Sequence, residues 1–311
     1  MSIGVALAPL SSRDPKILFQ HADIAMYAAK DRHTGVEVYD RSIDHSSTRR
    51  LCLSGDLRQA INGGGLYLAF QPQVSLTTRR IVSLEALARW THPTFGQVAP
   101  DEFIALAEQS GMVHPLTRWA IRSSLEELVR WRRCDPDLRV SVNVSARNLI
   151  DVSLVADVRN ILREVGLPGE ALTLEITEST VMADPQRSIA VLDRLRELGV
   201  RFAIDDFGTG YSSLSYLKRL PVDEVKIDKS FVCDMATDSD MASIVRSTID
   251  LARNLDLTVI AEGVEDEVTL DMLAGLGCDV VQGYYFARPT SAREVEQILL
   301  DGHFCYTAET R

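Results

Sequence analysis

The chain has 311 residues, 46% hydrophobic and 25% charged, which is the composition of a globular protein with a large core. Its formal net charge of -11 at pH 7 argues against a nucleic acid duplex as partner, because such a partner favours a basic surface. Five scattered cysteines form no CxxC pair and the N-terminal apolar run has no basic flank, so we expect no disulfide framework, zinc site, signal peptide or membrane segment, and a cytoplasmic location.

The first 40 residues predict a small α/β segment. SIGVALAP is expected to form a strand, PKILFQHADIAMYAAKDRH an amphipathic helix, and VEVYD a second short strand. A segment of this size buries little core by itself and should need another surface to pack against. Residues 41–56 are polar and are interpreted as a linker that leads into a helix ending near Gly63.

From Leu66 onwards, short apolar runs alternate with amphipathic helices. The runs that predict strands are LYLAFQP, IVSLEALARW, RVSVNVS, LTLEITE, RFAIDD, EVKID, LTVIAEG and VVQGYYF. Helices are predicted between most of them, over Pro115–Arg132, Val152–Val165, Pro185–Leu198, Asp240–Asn254 and Val268–Leu276. The first two strands have no helix between them, which indicates an antiparallel pair. The pattern favours a (β/α)₈ barrel, with a doubly wound open sheet as the alternative.

Acids and amides stand at or near the end of almost every one of these runs. An unpaired carboxylate is costly to bury, and the carboxyl ends of barrel strands meet at one mouth, so the series predicts a single site. Carboxylate and amide oxygens suit Mg²⁺ or Mn²⁺, and two such ions acidify a water held between them. The candidate ligands are Glu85, Asn143, Glu175 and Asp205 for a first ion, and Asp205, Asp206 and Glu262 for a second.

Two cationic residues extend this hypothesis. Lys226 would hold the attacking water or neutralise a phosphoryl oxygen. Arg89 lies four residues after Glu85, on the same side of an extended strand, and its planar fork suits a phosphate. Any single acid at a strand end is more often a cap or a turn former, so the prediction depends on the ordered set.

The sequence allows two interpretations for several other polar residues. Glu178, Asp228 and Glu265 either support the site or form loop ion pairs. The segment DDFGTGYSS is either a glycine-containing loop with serine caps or a loop that cradles a phosphate.

The motifs FQPQV, EALARW, NVSARNL, LEITES, DDFGTGYSSLSYLKRLPVDEVKIDKSF, AEGVE and QGYYFARP, in this order, resemble the EAL family of cyclic-di-GMP phosphodiesterases. The resemblance extends from about Leu57 to the C-terminus. It implies a modified (β/α)₈ barrel with one antiparallel strand, and a homodimer. It also implies hydrolysis of cyclic-di-GMP to linear pGpG with two Mg²⁺ or Mn²⁺ ions.

The resemblance also implies a role for each matching position. The metal ligands are those given above, with Glu85, Asp205 and Glu262 also counted among the catalytic residues. Lys226 is implied to contact the attacking water, and Gln282 to position water and groups beside the metals. Glu178 is implied to fix the DDFGTGYSS loop, with Asp228 and Glu265 as supporting residues. The implied substrate contacts are Gln71, Leu87 and Arg89, the last at a phosphate.

None of the metal or water positions is lost, which favours a working enzyme. A catalytically silent cyclic-di-GMP receptor is the alternative, and a barrel hydrolase for another phosphoester is a third hypothesis. SIGVA and ADIAMYAAKDRHTG resemble the tail of a GGDEF domain that lacks the cyclase signature. The predicted organisation is therefore a truncated GGDEF-like tail over 1–40, a linker over 41–56 and an EAL barrel over 57–311. A short strand and helix packed on the barrel is the other interpretation of the tail.

Overall fold

The structure is a computed structural model that describes residues 2–31, 34–208 and 220–301. The chain divides into two compact units, the first formed by Met1–Gly65 and His92–Met112 and the second by Leu66–Thr91 and Val113–Arg311. The described strands are β1 (Ile3–Val5), β2 (Val36–Val38), β3 (Leu66–Ser75), β4 (Ile81–His92), β5 (Gly96–Val98), β6 (Arg139–Asn143), β7 (Leu172–Thr177), β8 (Arg201–Phe207), β9 (Glu224–Ile227), β10 (Thr258–Ala261) and β11 (Val280–Val281).

The helices follow the predicted alternation. In chain order they are α1 (Pro15–Asp31), α2 (Arg41–Ile61), α3 (Pro100–Ser110), α4 (Val113–Trp131), α5 (Ala146–Leu149), α6 (Ser153–Val165), α7 (Glu178–Met182), α8 (Pro185–Arg196), α9 (Lys229–Val232), α10 (Ser239–Asn254), α11 (Glu267–Leu276) and α12 (Ala292–Asp301), with a 3₁₀ turn over Gly169–Ala171. None of the helices in the described ranges has the length and apolar character needed to cross a membrane.

In the first unit, β1 and β2 pair in parallel and α1 connects them, so the predicted strand, helix and second strand are present. Residues 41–56 differ from the interpretation as a linker, because α2 begins at Arg41 and continues to Ile61. Its residues Leu53, Leu57 and Ala60 are buried and lie at helical spacing on one face. This apolar face is the physical reason why a polar-looking segment is helical.

In the second unit, eight strands close into a barrel in the order β3, β11, β10, β9, β8, β7, β6, β4, with β4 paired back to β3. Strand β3 is antiparallel to both of its neighbours, and the other pairs are parallel. The barrel and the antiparallel first pair are confirmed, and the open sheet is excluded because the sheet closes. The short strand β5 is additional to the eight.

The element boundaries agree with the apolar runs, apart from the last strand. The five helices predicted between strands begin and end within two residues of the predicted positions. The run VVQGYYF forms a strand only over Val280–Val281, because the chain turns at Gly283, whose carbonyl oxygen accepts a bond of 3.1 Å from the Phe286 amide.

Alternation along the barrel strands separates an apolar outer face from a polar inner face. Leu84, Val140 and Leu172 are fully buried on the face opposite to Glu85 and its neighbours. Phe70 packs edge-on against Trp131 of α4, with ring centroids 4.8 Å apart. The helices bury this outer face, so the polar residues lie on the inner face. Those at the carboxyl ends of the strands form the candidate site.

Candidate active site

The Lys226 ammonium lies at the centre of a cluster of carboxylates. Its Nζ is 2.7 Å from Glu175 Oε2, 2.7 Å from Glu262 Oε1, 3.2 Å from Asp205 Oδ1 and 3.7 Å from Glu85 Oε2. The Lys226 side chain is fully buried. The structure therefore brings together five of the residues predicted from strand ends that are far apart in the sequence.

Strand register explains how these residues converge. Asn143 on β6 stands beside Glu175 on β7, and the Asn143 amide donates a bond of 2.9 Å to Glu85 Oε1. On β9, Lys226 stands beside Ile260 of β10, so the next inward position on that side is Glu262, which follows β10. Because parallel strands end at the same rim, the acids reach one mouth.

A β-bulge explains how two consecutive aspartates reach the mouth. Between β8 and β9, Ile204 pairs with Val225 and Phe207 pairs with Ile227, so Asp205 and Asp206 together oppose Lys226. Asp206 has a left-handed backbone, with φ of 53°, and its amide donates a bond of 3.0 Å to Asp205 Oδ1. Aspartate tolerates this conformation better than most residues, and bulges are common beside active sites.

A chain of amides holds Glu85 from the other side. Gln282 Nε2 donates bonds of 2.6 Å to Glu85 Oε2 and 3.0 Å to Gln71 Oε1. Gln73 Nε2 donates a bond of 3.0 Å to Gln282 Oε1, and Gln73 is buried. Gln73 was not among the predicted site residues, although its position was a signal for it, because Gln71 and Gln73 are two apart on one strand and therefore face the same side.

The loops after β10 and β11 are held together through their backbones. The Val264 amide donates a bond of 3.1 Å to the Gln282 carbonyl, and the Tyr285 amide donates one of 3.0 Å to the Val264 carbonyl. A Cβ added to Gly283 would lie 2.0 Å from the Val264 carbonyl oxygen, so only glycine allows this approach. The contact sets the relative positions of Glu262 and Gln282.

The charges in the cluster do not balance. Burial, followed by the charge of Glu85, raises the pKa of Glu175 well above its usual value. Burial likewise raises the pKa of Glu262 to about 7, against the effect of Lys226. Burial works to lower the pKa of Lys226, but Glu175 and Glu262 raise it well above its usual value. Burial works to raise the pKa of Glu85, and Lys226 and Gln282 lower it overall. Four carboxylates facing one ammonium leave a surplus of negative charge.

The donor set fits a divalent cation in chemistry, although the side chains are turned toward the lysine. Within the described residues, no three acidic, histidine or cysteine side chains are already arranged as a metal site. However, Glu175 Oε1 is buried and has no hydrogen-bond partner in the part of the chain that the structure describes. An uncompensated carboxylate oxygen beside surplus negative charge is what a hard cation with oxygen ligands would satisfy.

The remaining predicted residues lie around this cluster. Asp228 caps α9 by accepting a bond of 3.0 Å from the Ser230 amide. Burial raises the pKa of Asp206, and the charges of Asp205 and Asp228 raise it further. Glu178 begins α7 directly after β7. Glu265 is exposed.

The predicted substrate residues occupy two neighbouring strands. Gln71 on β3 stands opposite Glu85 on β4, and its Nε2 donates a bond of 3.2 Å to the Ala287 carbonyl. Leu87 and Arg89 continue β4 beyond Glu85 on the same face, and both are partly exposed. Of the DDFGTGYSS segment, residues 209–213 lie outside the described part of the chain, so the expectation for that loop stays a prediction.

A closed barrel of eight strands with acids gathered around a lysine at the carboxyl ends of its strands has the architecture of a barrel enzyme. Comparison with known protein families identifies the family of the chain. A family model described as the EAL domain matches residues 54–289, so the chain belongs to the EAL domain family.

Relatives and solved structures agree with this assignment. The bifunctional diguanylate cyclase/cyclic di-GMP phosphodiesterase MucR of Pseudomonas aeruginosa is 40% identical over 296 residues, covering 94% of this chain and 43% of MucR. The cyclic di-GMP phosphodiesterase NbdA of the same organism is 40% identical over 300 residues, covering 96% of this chain and 38% of NbdA. This chain therefore spans about two fifths of either relative. The structure of the PaMucR phosphodiesterase in a c-di-GMP complex aligns with a TM-score of 0.74 and 41% identity, over 78% of this chain and 99% of that one.

Proposed function

We propose that this chain hydrolyses cyclic-di-GMP to linear pGpG. The observation that carries the proposal is the convergence of Glu85, Glu175, Asp205 and Glu262 on the buried Lys226 ammonium, at the mouth of an EAL-family barrel. The names of MucR, NbdA and the PaMucR complex support the choice of substrate. An intact set of this kind is expected of an enzyme more than of a silent receptor.

We further propose that the site binds two Mg²⁺ or Mn²⁺ ions. The surplus negative charge and the unpartnered Glu175 Oε1 support this. When bound, the ions would acidify water and neutralise phosphoryl charge. The proposed ligands are Glu85, Asn143, Glu175 and Asp205 for one ion, and Asp205, Asp206 and Glu262 for the other.

The residues of the chain would then do the following. Lys226 holds the attacking water through its ammonium, which its carboxylate neighbours keep charged. Gln282 orients Glu85 through their bond of 2.6 Å. Arg89 binds a phosphate, and Gln71 and Leu87 contact the dinucleotide. The water adds hydroxide to one phosphorus while the bond from that phosphorus to a ribose 3′-oxygen breaks, and the 3′-oxygen takes up the proton.

The surroundings of the barrel are also proposals. We infer that residues 1–40 are a GGDEF-like tail, that residues 57–311 form the phosphodiesterase domain, and that the chain acts as a cytoplasmic homodimer. These inferences rest on the motif resemblance. Glu178, Asp228 and Glu265 are proposed to support the metal side of the site.

The decisive experiment incubates the purified chain with cyclic-di-GMP in Mg²⁺, Mn²⁺ or EDTA and separates the products by chromatography. We expect pGpG only with metal, and a loss of at least a hundredfold in rate for Glu85→Gln and for Asp205→Asn. Glu126→Gln, on the exposed side of α4, is the matched control and should keep the wild-type rate. Tight binding without product would instead identify a silent receptor, and neither binding nor product would indicate another substrate.

A further inference from the structure

Four small residues line the inside of the barrel directly beneath the acids. Ser83, Ser141, Thr173 and Ala203 each stand two residues before one of the predicted ligands, on four consecutive strands, β4, β6, β7 and β8. Side chains two apart on a strand share a face, so these residues point inward below the acids. All four are buried, with at most 3% exposure.

This stretch of the interior is unusually small and polar for a barrel. Barrel interiors are normally filled by layers of bulky branched side chains. Here the hydroxyl oxygens Ser83 Oγ, Ser141 Oγ and Thr173 Oγ1 are buried without a hydrogen-bond partner among the residues that the structure describes. Ser141 and Thr173 are direct neighbours in the β6–β7 register. Hydroxyls from three adjacent strands therefore share one region of the interior.

Two unpartnered N–H donors lie at the border of the same region, on the side of the amino ends of the strands. Arg139 stands beside Ser83, and Arg201 stands beside Thr173. Their guanidinium groups reach Glu224 Oε1, at 3.5 Å and 3.1 Å. Nevertheless the Nε atoms of both arginines are buried, and no acceptor for them lies in the described ranges of the chain.

A buried hydroxyl or N–H without a partner is expensive, and five in one region need a common explanation. The occupant must accept bonds from the two Nε–H groups, and it must accept from or donate to the hydroxyls. An apolar occupant can do neither. Glu224, the carboxylate that both arginines contact, is already paired with them, and Asp223 accepts a bond of 2.9 Å from the Phe202 amide, so neither supplies the free negative charge that a cation would need.

We propose that the barrel interior beneath the carboxylates is a binding site for ordered water molecules, bridging Ser83, Ser141 and Thr173 and reaching the Nε atoms of the two arginines. Water is the small molecule that satisfies both kinds of group. Because the bridged hydroxyls belong to the strands that carry Glu85, Asn143 and Glu175, the water tethers those strands just below the site. The inference does not depend on the reaction catalysed.

The sign of a stability change tests the proposal. Thr173→Val replaces the hydroxyl by a methyl group of similar volume. With bridging water, the variant loses a hydrogen bond, and we expect about a fivefold fall in the folding equilibrium constant of the full chain, measured in urea with EDTA present. A dry and unpaired hydroxyl would give the opposite sign, because valine removes a buried polar group. An increase in the folding constant therefore overturns the proposal.

A second set of variants tests whether Ser141 and Thr173 belong to one hydrogen-bond network. If Ser141 and Thr173 share a water, Ser141→Ala combined with Thr173→Val should lose less than the product of the two single losses. Ser124→Ala, which removes a direct bond of 2.7 Å from Ser124 Oγ to the Ala120 carbonyl, is the control and should combine with Thr173→Val without coupling.

A crystal structure of the full chain completes the test. We expect a water oxygen about 2.7–3.2 Å from Thr173 Oγ1 and a bond from it to Ser141 or Ser83. Well-ordered density without water at these hydroxyls overturns the proposal, whatever the variants show.

Discussion

Replacing Lys226 by methionine would remove the positive charge that contacts the four carboxylates while keeping a buried chain of similar length. The ammonium is fully buried, and its two shortest contacts, to Glu175 and Glu262, are both 2.7 Å. The change therefore leaves several acids in the same small volume without a partner. Both the free energy of unfolding of the barrel and the rate of the proposed hydrolysis should decrease.

The expected loss of stability is large. Removing one partner of a buried ion pair costs roughly 3–5 kcal/mol, because the other partner stays buried and uncompensated. Native proteins are stable by only about 5–15 kcal/mol in total. Divalent cations should recover part of the loss, since a ligand at a hundred times its Kd adds about 2.7 kcal/mol. Hydrolysis of cyclic-di-GMP should fall at least a hundredfold even where the fold is restored.

The assay follows urea unfolding by tryptophan fluorescence, in EDTA and in Mg²⁺, alongside pGpG production. Lys229→Met is the matched control, because Lys229 is exposed three residues further along and its loss should leave both measurements unchanged. A Lys226→Met chain that unfolds at the wild-type urea concentration in EDTA would refute the reasoning. It would mean that the acids do not depend on the ammonium for compensation.

Three further outcomes follow from the same contacts. Gln73→Leu should lower kcat about tenfold with little change in KM, because it removes the donor that orients Gln282, and an unchanged kcat would contradict that role. In EDTA, the free energy of unfolding should fall by about 3 kcal/mol as the pH rises from 4.5 to about 7. The reason is that the raised pKa of Glu262 lets the folded state bind its proton more tightly than the unfolded chain does. Urea titrations measure this change, and Mg²⁺ should reduce its dependence on pH. Gly283→Ala should lower the melting temperature by several degrees, since its Cβ would meet a carbonyl oxygen at 2.0 Å, whereas Gly275→Ala has open space on a helix and should raise it slightly.

Several features of the structure were predictable because their causes are local. The apolar runs gave strand positions, and the helices between them end where glycines adopt left-handed caps, as at Gly166 and Gly277. The absence of a helix between β3 and β4 predicted their antiparallel pairing. Only the C-terminal part of the helix over Arg41–Ile61 was predicted, because the polar residues of its N-terminal part resemble a linker and the apolar face begins only at Leu53 and Leu57.

The sequence by itself determined the alternation of strands and helices, the family motifs and the presence of acids at strand ends, because each depends on residues close together in the chain. Only the tertiary structure decided how those acids share Lys226, how a bulge presents Asp205 and Asp206 together, and that Gln73 belongs to the site. These contacts join residues on different strands, such as Gln73 with Gln282. Their distances follow from strand register and barrel closure, which no local pattern of residues specifies.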